Sequence, residues 1–165
     1  MTNTAKVLVL GPPDGPQGAF VGTVSQVKVR SSARTTGDGV IPMHFGRVRL
    51  ESDLDLQIFG AERDQAAPVL DAIASGLVGA IVLFDEAERS DPHYAALALD
   101  ELSQRGVPWI VVVWGDQPDP SVAADALNLT GVAPVVVYGQ IDKESVKSSI
   151  VSVLETALVA TEGAA

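Results

Sequence analysis

Cysteine is absent from the chain. This absence excludes disulfides, thiolate metal ligands and a cysteine nucleophile. The sequence also has no apolar run approaching the length of about 18 residues that a membrane-spanning helix needs, and no N-terminal stretch of signal-peptide form. We therefore expect a cytoplasmic protein without a membrane span.

Basic residues are scarce: 11 Lys and Arg stand against 21 Asp and Glu, and the formal net charge is −10. Binding to nucleic acid or to anionic membranes relies on clustered basic side chains, so we expect neither. The basic residues are unevenly placed, however, because five of the 11 lie between positions 28 and 49, where Asp38 is the only acid. These five are Lys28, Arg30, Arg34, Arg47 and Arg49. The segment is locally positive on an acidic protein.

Charged residues make up only 19% of the chain and hydrophobic residues 47%, a balance typical of a protein with a buried core. The 165 residues contain no internal repeat, low-complexity segment or linker. We expect one domain over residues 1–165, with a disordered tail at 161–165.

The apolar pattern predicts strands that alternate with helices. Continuous apolar runs at 6–10 and 78–84 are typical of strands buried on both faces of a sheet. Further strands are predicted at 107–114 and 134–138, and helices at 18–27, 66–75, 92–104, 120–127 and 142–160. This alternation predicts a three-layer α/β fold, with a mostly parallel sheet of about six strands, one antiparallel edge strand and helices on both faces. In such folds ligands bind at the carboxyl ends of the strands.

The last predicted helix has a capped start and an apolar side. Asp142 to Ser145 resembles a helix cap. The predicted apolar stripe consists of Ile150, Val151, Leu154 and Leu158.

The middle of the chain predicts a hairpin at the edge of the sheet. Its strands are predicted at 43–50 and 54–59, with three residues between them. The two faces of the first strand carry Phe45, Arg47 and Arg49 on one side and His44, Val48 and Leu50 on the other. That one-sided pattern is typical of an exposed or edge strand. Polar residues at 29–39 and 60–65 predict two loops.

A glycine-punctuated loop follows the first strand and precedes a helix, as in a phosphate-binding P-loop, G-x-x-x-x-G-K-[ST]. Gly11 stands at the first glycine, but Pro16, Gln17 and Gly18 stand where the motif has glycine, lysine and a hydroxyl. Proline has no N–H, so the three prolines at 12, 13 and 16 each remove a donor from the loop. Asp14 adds negative charge. We expect this loop to repel a triphosphate.

The scaffold nevertheless resembles that of a known family. The runs GLVGAIVLFDEAE, RGVPWIVVVW, MHFGRVRL followed by LDLQIFG, and DKESVKSSIVSVLETAL are similar to those of the small Ras-like GTPases of bacteria. They resemble in particular the gliding-motility-type and actinobacterial conservon-type GTPases that work with Roadblock-domain proteins. The resemblance extends from Lys6 to about Ala160 and implies a P-loop NTPase (Ras-like) fold, whose active members bind GTP or GDP with magnesium.

The motifs of that family are degenerate here. After Phe59 and Gly60 of the second switch, Arg63 replaces the glycine whose amide meets the terminal phosphate. The guanine-reading Asn-x-x-Asp signature falls on 114–117, where its ends are Trp114 and Gln117. We therefore predict a pseudo-GTPase with no catalytic residue, no bound cofactor and no metal.

Other site classes find less support in the residues. His44 and His93 have no convergent carboxylate or His spacing, so a zinc site is not expected. Asp85 ends a predicted strand like a receiver-domain phosphoacceptor, but the acidic pair and the lysine that such a site needs are missing. Two alternatives stay open. One is a small GTPase, an ATPase or another nucleotide-binding protein with a weak, rearranged site for GTP or GDP with magnesium, in which Arg34 or Arg63 replaces the lysine. The other is a pocket for another small molecule.

The resemblance also implies a protein partner. In the family, Roadblock-domain dimers dock around the second strand on the switch side. The corresponding residues here, which we name as a candidate interface, are His44, Phe45, Arg47, Arg49 and Arg63. A positive patch on an acidic protein would steer an acidic partner. The sequence thus predicts a nucleotide-independent regulatory or adaptor module for protein–protein interaction in signalling.

Overall fold

The computed structural model describes residues 3–12, 15–25, 30–36, 39–51, 54–85, 93–114, 121, 135–138 and 142–163. Its strands are β1 (Asn3–Gly11), β2 (Arg30–Thr36), β3 (Gly39–Glu51), β4 (Leu54–Glu62), β5 (Leu77–Asp85), β6 (Trp109–Trp114) and β7 (Val135–Tyr138). Its helices are α1 (Gln17–Val24), α2 (Ala66–Ile73), α3 (His93–Gln104) and α4 (Lys143–Gly163). A 3-10 turn, Arg63–Gln65, joins β4 to α2.

The described strands form one sheet in the order β2-β3-β4-β1-β5-β6-β7. The five strands from β4 to β7 in that order are parallel, whereas β3 is antiparallel to β4 and β2 is antiparallel to β3. The mostly parallel sheet with helices on both faces is therefore confirmed. None of the helices within the described ranges is long and apolar enough to cross a membrane.

The strand β2 was not expected, because residues 29–39 were predicted to form a loop. Seven residues pair with β3 instead, from Arg30 opposite Phe45 to Thr36 opposite Gly39. An edge strand needs no apolar alternation, since charged and hydroxyl side chains are common there and the ladder itself satisfies the backbone. The loop prediction is wrong, and this side of the sheet ends in two antiparallel pairings, β4 with β3 and β3 with β2.

The strand β4 is also longer than predicted. It continues to Glu62 because β1 pairs with it along its whole length, with Leu10 opposite Ala61 and Gly11 opposite Glu62. The 3-10 turn follows directly. The loop predicted at 60–65 is therefore wrong, and the segment that corresponds to the second switch lies partly within the sheet.

The core follows the alternation of side chains along the central strands. Val7 and Val9 belong to an apolar cluster with α1 and α4, and Leu8 and Leu10 belong to a second cluster with α2 and α3. All four side chains are completely buried. Burial on both faces explains why residues 7–10 of β1 and most of β5 are continuously apolar, as predicted.

The helix α4 begins as the sequence predicted. The Ser145 N–H donates to Asp142 Oδ1 (2.8 Å), and the Asp142 N–H donates to Ser145 Oγ (2.9 Å). This reciprocal cap satisfies two backbone donors at the start of the helix. The helix reaches Gly163, so residues 161–163 of the expected disordered tail are helical.

The apolar side of α4 is different from the predicted stripe. Val146, Ile150 and Val153 face the sheet and are buried, whereas Val151 and Leu158 are 52% and 60% exposed. The i, i+4, i+7 spacing of the buried residues defines the face that packs. Of the predicted stripe, Ile150 is buried and Leu154 packs against the core, whereas Val151 and Leu158 lie outside the packed side. The predicted start of α3 at 91–92 and the predicted helix at 120–127, apart from Ser121, lie outside the described residues.

Candidate functional site

The ends of the parallel strands meet at one edge of the sheet. Gly11 is the register partner of Glu62 on the neighbouring strand. Asp85, Trp114 and Tyr138 are register partners across β5, β6 and β7. The glycine-punctuated loop leaves β1 at this edge and enters α1 at Gln17. The expected position of the loop, at the carboxyl edge where such folds bind ligands, is confirmed.

Two backbone hydrogen bonds are formed within the loop and at the start of α1. The Gly15 N–H donates to the Pro12 carbonyl (2.9 Å), and the Phe20 N–H donates to the Pro16 carbonyl (2.7 Å) as α1 begins. The prolines at 12, 13 and 16 offer no N–H. Gly15 and the three prolines therefore contribute no free N–H to an anion site.

Gln17, which stands at the lysine position, lies inside the loop with only 3% of the residue exposed. Its Nε2 donates to the Pro12 carbonyl (3.1 Å), which fixes the orientation of the amide. Its Oε1 accepts no hydrogen bond from the described residues. A Cβ atom at Gly15 would lie 2.8 Å from Oε1, and a Cβ at Gly11 would overlap it. The Gln17 amide thus fills the space between the two glycines.

Gly18 stands at the hydroxyl position and lies beneath the ring of His44. A Cβ atom built on Gly18 would be 3.0–3.1 Å from Cε1, Nδ1 and Nε2 of His44. Contacts this short are closer than ordinary van der Waals packing. A serine or threonine at position 18 would therefore require the ring to move.

The helix α1 lies close to β4 because Gly60 carries no side chain. A Cβ atom at Gly60 would be 3.3 Å from Val21 Cγ2 and 3.4 Å from Gln17 Cβ. Gly60 is the register partner of His44. The residues predicted from the degenerate P-loop and the degenerate second switch are thus in contact through Gln17, Gly18, His44 and Gly60.

Arg63 is only 5% exposed, although it was predicted as part of a protein interface. Its Nη1 points to the Leu83 carbonyl of β5 at 3.5 Å. It also lines a cavity between the 3-10 turn and α3, next to Tyr94 and Leu97. Its assignment to an exposed interface is corrected, because burial leaves almost none of its surface for a partner.

The other candidate interface residues lie on two sides of β3. The Phe45 ring packs against Phe59 with centroids 5.2 Å apart, and Arg47 is exposed. Arg49 Nε donates to Asp55 Oδ1 (2.9 Å) and Nη2 to Oδ2 (3.4 Å). This hydrogen-bonded pair lowers the pKa of the Asp55 carboxyl. His44 faces α1 on the opposite side, so only Arg47 and Arg49 are exposed, with partly buried Phe45 on the same face of β3.

Trp114, at the base-reading position, ends β6 and packs against the apolar cluster of α1 and α4. It is only partly buried. Gln117 lies outside the described residues, so its predicted position is not described. Tyr138, on the neighbouring strand β7, is the register partner of Trp114.

The donor set does not match a magnesium–nucleotide site. Magnesium in such sites takes a side-chain hydroxyl oxygen from the loop, and Gly18 has no side chain to supply one. The amide of Gln17 replaces the charged lysine and is already bonded within the loop. In the described ranges no three His, Asp or Glu side chains come together as metal ligands.

Comparison with known proteins gives the fold. No family model matches the sequence, and no curated protein matches it either. Solved structures do match. The cytosolic domain of the T. maritima FeoB iron transporter in apo form gives a TM-score of 0.64 at 12% identity, and the match covers 94% of this chain and 64% of that chain. The G domain of T. maritima FeoB gives a TM-score of 0.60 at 13% identity, over 90% of this chain and 98% of that domain. A point mutant of Aquifex aeolicus Era bound to GDP.AlF4- gives a TM-score of 0.62 at 13% identity, over 91% of this chain and 57% of the Era chain.

These similarities show that the chain has the P-loop GTPase fold of a G domain. The chain spans just under two thirds of the FeoB cytosolic domain and just over half of Era, but nearly all of the isolated G domain. At identities of 12–13% the similarity shows the fold alone. The chemistry of the loop has to be inferred from the residues of this chain.

Proposed function

We propose that this protein is a pseudo-GTPase, a protein-binding regulatory module that keeps the G-domain fold and acts without nucleotide. The burial of Gln17 carries this proposal. A lysine at that position would present a charge to a phosphate, whereas the amide of Gln17 is bonded to the Pro12 carbonyl and fills the space between Gly11 and Gly15. The loop is closed by one of its own side chains.

The surroundings of Gly18 support the same proposal. A P-loop hydroxyl holds the magnesium ion that neutralises the phosphates. Here the hydroxyl is missing, and the His44 ring lies where a side chain would extend from Gly18. Recovering the metal site would therefore take more than one substitution.

The segments that correspond to the two switches are held by the sheet, which favours a fixed interface over a nucleotide-driven change. The first is the segment in which the resembled family has its magnesium-sensing threonine, near Gly39 or Val40 here. It is paired with β3 along β2, with Thr35 opposite Val40. The second continues β4 as far as Glu62, and buried Arg63 anchors the turn that follows it. A ligand shifts a conformational equilibrium only through different affinities for two states. Without nucleotide, these segments have no such ligand.

The proposed partner is a Roadblock-domain dimer with an acidic docking surface, and the proposed setting is the cytoplasm. The exposed residues Arg47 and Arg49 give β3 a positive face on a chain of net charge −10. Complementary charge at an interface steers association and disfavours wrong partners. The partner class rests on the family resemblance, and the charge of its surface rests on these two arginines.

The second candidate function is weak binding of GTP or GDP with magnesium at a rearranged site. Structural neighbours bound to guanine nucleotides favour it, among them the Era mutant with GDP.AlF4- and an S. thermophilus NFeoB mutant bound to mGDP. Of the two arginines that could replace the lysine, Arg63 is buried and directed to the Leu83 carbonyl. Such a site would need Gln17 to leave the loop.

A binding assay with a purified Roadblock-domain dimer tests the proposal. We expect association that is the same with GTP, with GDP and without nucleotide. Arg47→Glu should weaken it by about tenfold or more, because it reverses a charge facing the acidic partner. Lys143→Glu is the matched control, since Lys143 is an exposed base at the start of α4. Binding that requires GTP, or equal losses in the two variants, would contradict the proposal.

A further inference from the structure

The face of the sheet that carries α2 and α3 has its side chains in rows across β1, β4 and β3. Leu8 and Phe59 are register partners, and so are Phe59 and Phe45. All three belong to the apolar cluster of this face, where Phe45 is only partly buried. Side chains alternate between the two faces along a strand, so the residues two positions away on each strand share this face.

The apolar cluster gives way to polar residues in the next row towards the start of β1. This row consists of Lys6, Gln57 and Arg47, which we call the cationic row. Lys6 and Gln57 are half-buried and Arg47 is exposed, whereas Leu8 and Phe59 are buried. The Lys6 Nζ lies 6.0 Å from the centre of the Phe59 ring, which places the lysine on this face. The cationic row is therefore open to solvent at the border of the core.

Cations exceed carboxylates at the cationic row. Within the described part of the chain, neither Lys6 nor Arg47 forms an ion pair. The row beyond it holds Thr4, Asp55 and Arg49, and there Arg49 is bonded to Asp55. Arg49 chiefly, and Arg47 to a smaller extent, lower the pKa of the Asp55 carboxyl. One carboxylate thus faces more than one cation, and the excess positive charge belongs to Lys6 and Arg47.

The distance between the two cations determines which groups can bind both. Lys6 and Arg47 lie on strands separated by β4, so their backbones are about 10 Å apart. An extended segment covers about 10 Å from residue i to residue i+3. The Gln57 amide lies between the two cations, and an amide can both donate and accept hydrogen bonds. An extended segment with carboxylates at i and i+3 therefore matches the row.

The surroundings of the cationic row favour a protein segment over a longer polyanion. At physiological ionic strength exposed charges act over about 8 Å, so the row attracts only carboxylates that lie close to it. A nucleic acid extending beyond the row would meet a chain with 21 acidic and 11 basic residues. Partly exposed Phe45, in the adjoining row, and Arg47 are of residue types that are enriched at protein interfaces.

We propose that the cationic row binds an acidic, extended segment of a partner protein, with one carboxylate at Lys6 and another, three residues along the segment, at Arg47. The inference rests on the proposed function in one respect, that a partner docks at β3. It extends that docking surface across β4 to β1. Lys6 and Gln57, which lie outside the interface that the family resemblance implies, acquire a role in binding.

A peptide of Ser and Gly with Glu at i, i+3 and i+6 tests the cationic row without a natural partner. A second peptide carries Gln in place of Glu. In a titration of ¹⁵N-labelled protein, the Glu peptide should shift the backbone amide signals at and around residues 6, 47 and 57. Added salt should reduce these shifts, and the Gln peptide should produce none, because the attraction is between charges.

Two variants and one control locate the binding. Lys6→Glu and Arg47→Glu should each weaken binding of the Glu peptide by about fivefold or more, since each replaces an attraction with a repulsion. Lys147→Glu is the matched control, because Lys147 is exposed on α4, which packs on the opposite face of the sheet. A peptide with Lys in place of Glu should bind the Lys6→Glu/Arg47→Glu double variant better than the parent. This exchange of charges distinguishes recognition from damage to the fold.

Four results would overturn the proposal. They are no amide shifts with the Glu peptide, equal shifts with the Glu and Gln peptides, equal losses in Lys6→Glu and Lys147→Glu, or no gain from the exchange of charges. A single-stranded oligonucleotide that shifts the same amides more strongly than the Glu peptide would instead assign the row to nucleic acid.

The Roadblock-domain dimer separates this inference from the proposed function. Dimer binding that is weakened in Arg47→Glu but unchanged in Lys6→Glu would overturn the inference and leave the proposed function in place. Absence of dimer binding, with the Glu peptide behaving as expected, would overturn the proposed partner and support the cationic row as a site for acidic segments.

Discussion

The imidazole ring of His44 lies directly over Gly18, with three of its atoms 3.0–3.1 Å from where a Cβ atom would be. The two residues come from different elements, β3 and α1, and their packing depends on the missing side chain. The loss of the P-loop hydroxyl and the position of this ring are therefore one structural feature. Their dependence on each other can be measured.

Gly18→Thr should destabilise the protein by about 1 kcal/mol, because the new side chain forces the His44 ring out of its place. In His44→Ala the ring is gone, so the same substitution should be nearly neutral. Urea denaturation of the four proteins in this double-mutant cycle gives the coupling energy. Additive effects of the two substitutions would show that the ring and position 18 are not in contact.

Gln17 should respond differently to two substitutions. Gln17→Ala should destabilise the protein by about 1–2 kcal/mol, since it removes a hydrogen bond and leaves a cavity in the loop. Gln17→Leu should lie within about 0.5 kcal/mol of the parent, because it keeps the volume and removes a buried oxygen without a donor. The Pro12 carbonyl still accepts the Gly15 N–H in both. A larger loss in the Leu variant than in the Ala variant would contradict the burial of the amide.

Arg63 should contribute to stability even though the family resemblance predicts a glycine at its position. Arg63→Gly removes a side chain that is buried against β5 and α3, so we expect a loss of about 2 kcal/mol. Hydrogen exchange at residues 60–65 should become faster in the variant. Asp64→Gly, at the exposed neighbouring position, is the control and should be less harmful. Equal losses in the two variants would show that the backbone change alone is responsible.

The Arg49–Asp55 pair should make stability depend on pH in the acid range. The hydrogen bond from Arg49 lowers the pKa of Asp55 below its value in the unfolded chain, which is about 3.9. The stabilisation is therefore present above about pH 4 and is lost as the pH falls through the lower, folded-state value. The difference in stability between the parent and Arg49→Gln should be constant near neutral pH and shrink in acid. Because the pair is exposed, added salt should also reduce it. A difference that grows in acid would contradict this assignment.

The sequence predicts the sheet well where burial leaves a strong pattern. Residues 7–10 of β1 and 79–84 of β5 are buried on both faces of the sheet, so the two runs are apolar and can be recognised without context. The cap at Asp142 is also predictable, because its two hydrogen bonds join residues three apart in the chain. Features of this kind depend on local chemistry.

The features that were missed depend on contacts between distant segments. The strand β2 is polar, and only its pairing with β3 distinguishes it from a loop. Val151 and Leu158 have helical spacing like the core residues, but the orientation of α4 is set by Val146, Ile150 and Val153 against the sheet. Burial of the charged side chain of Arg63 depends on β5 and α3, which come later in the chain. The sequence signal for Gln17 was the pair of glycines, Gly11 and Gly15, that leaves room for its amide.

Calorimetric titration of the purified protein with GTP and GDP, in the presence of magnesium, tests the pseudo-GTPase proposal most directly. We predict no heat of binding and no shift of the melting temperature at millimolar nucleotide. A nucleotide present at about 100 times its dissociation constant would instead stabilise the protein by about 2.7 kcal/mol. Saturable binding with that stabilisation would mean that Gln17 leaves the loop to admit the phosphates, and it would contradict the central claim.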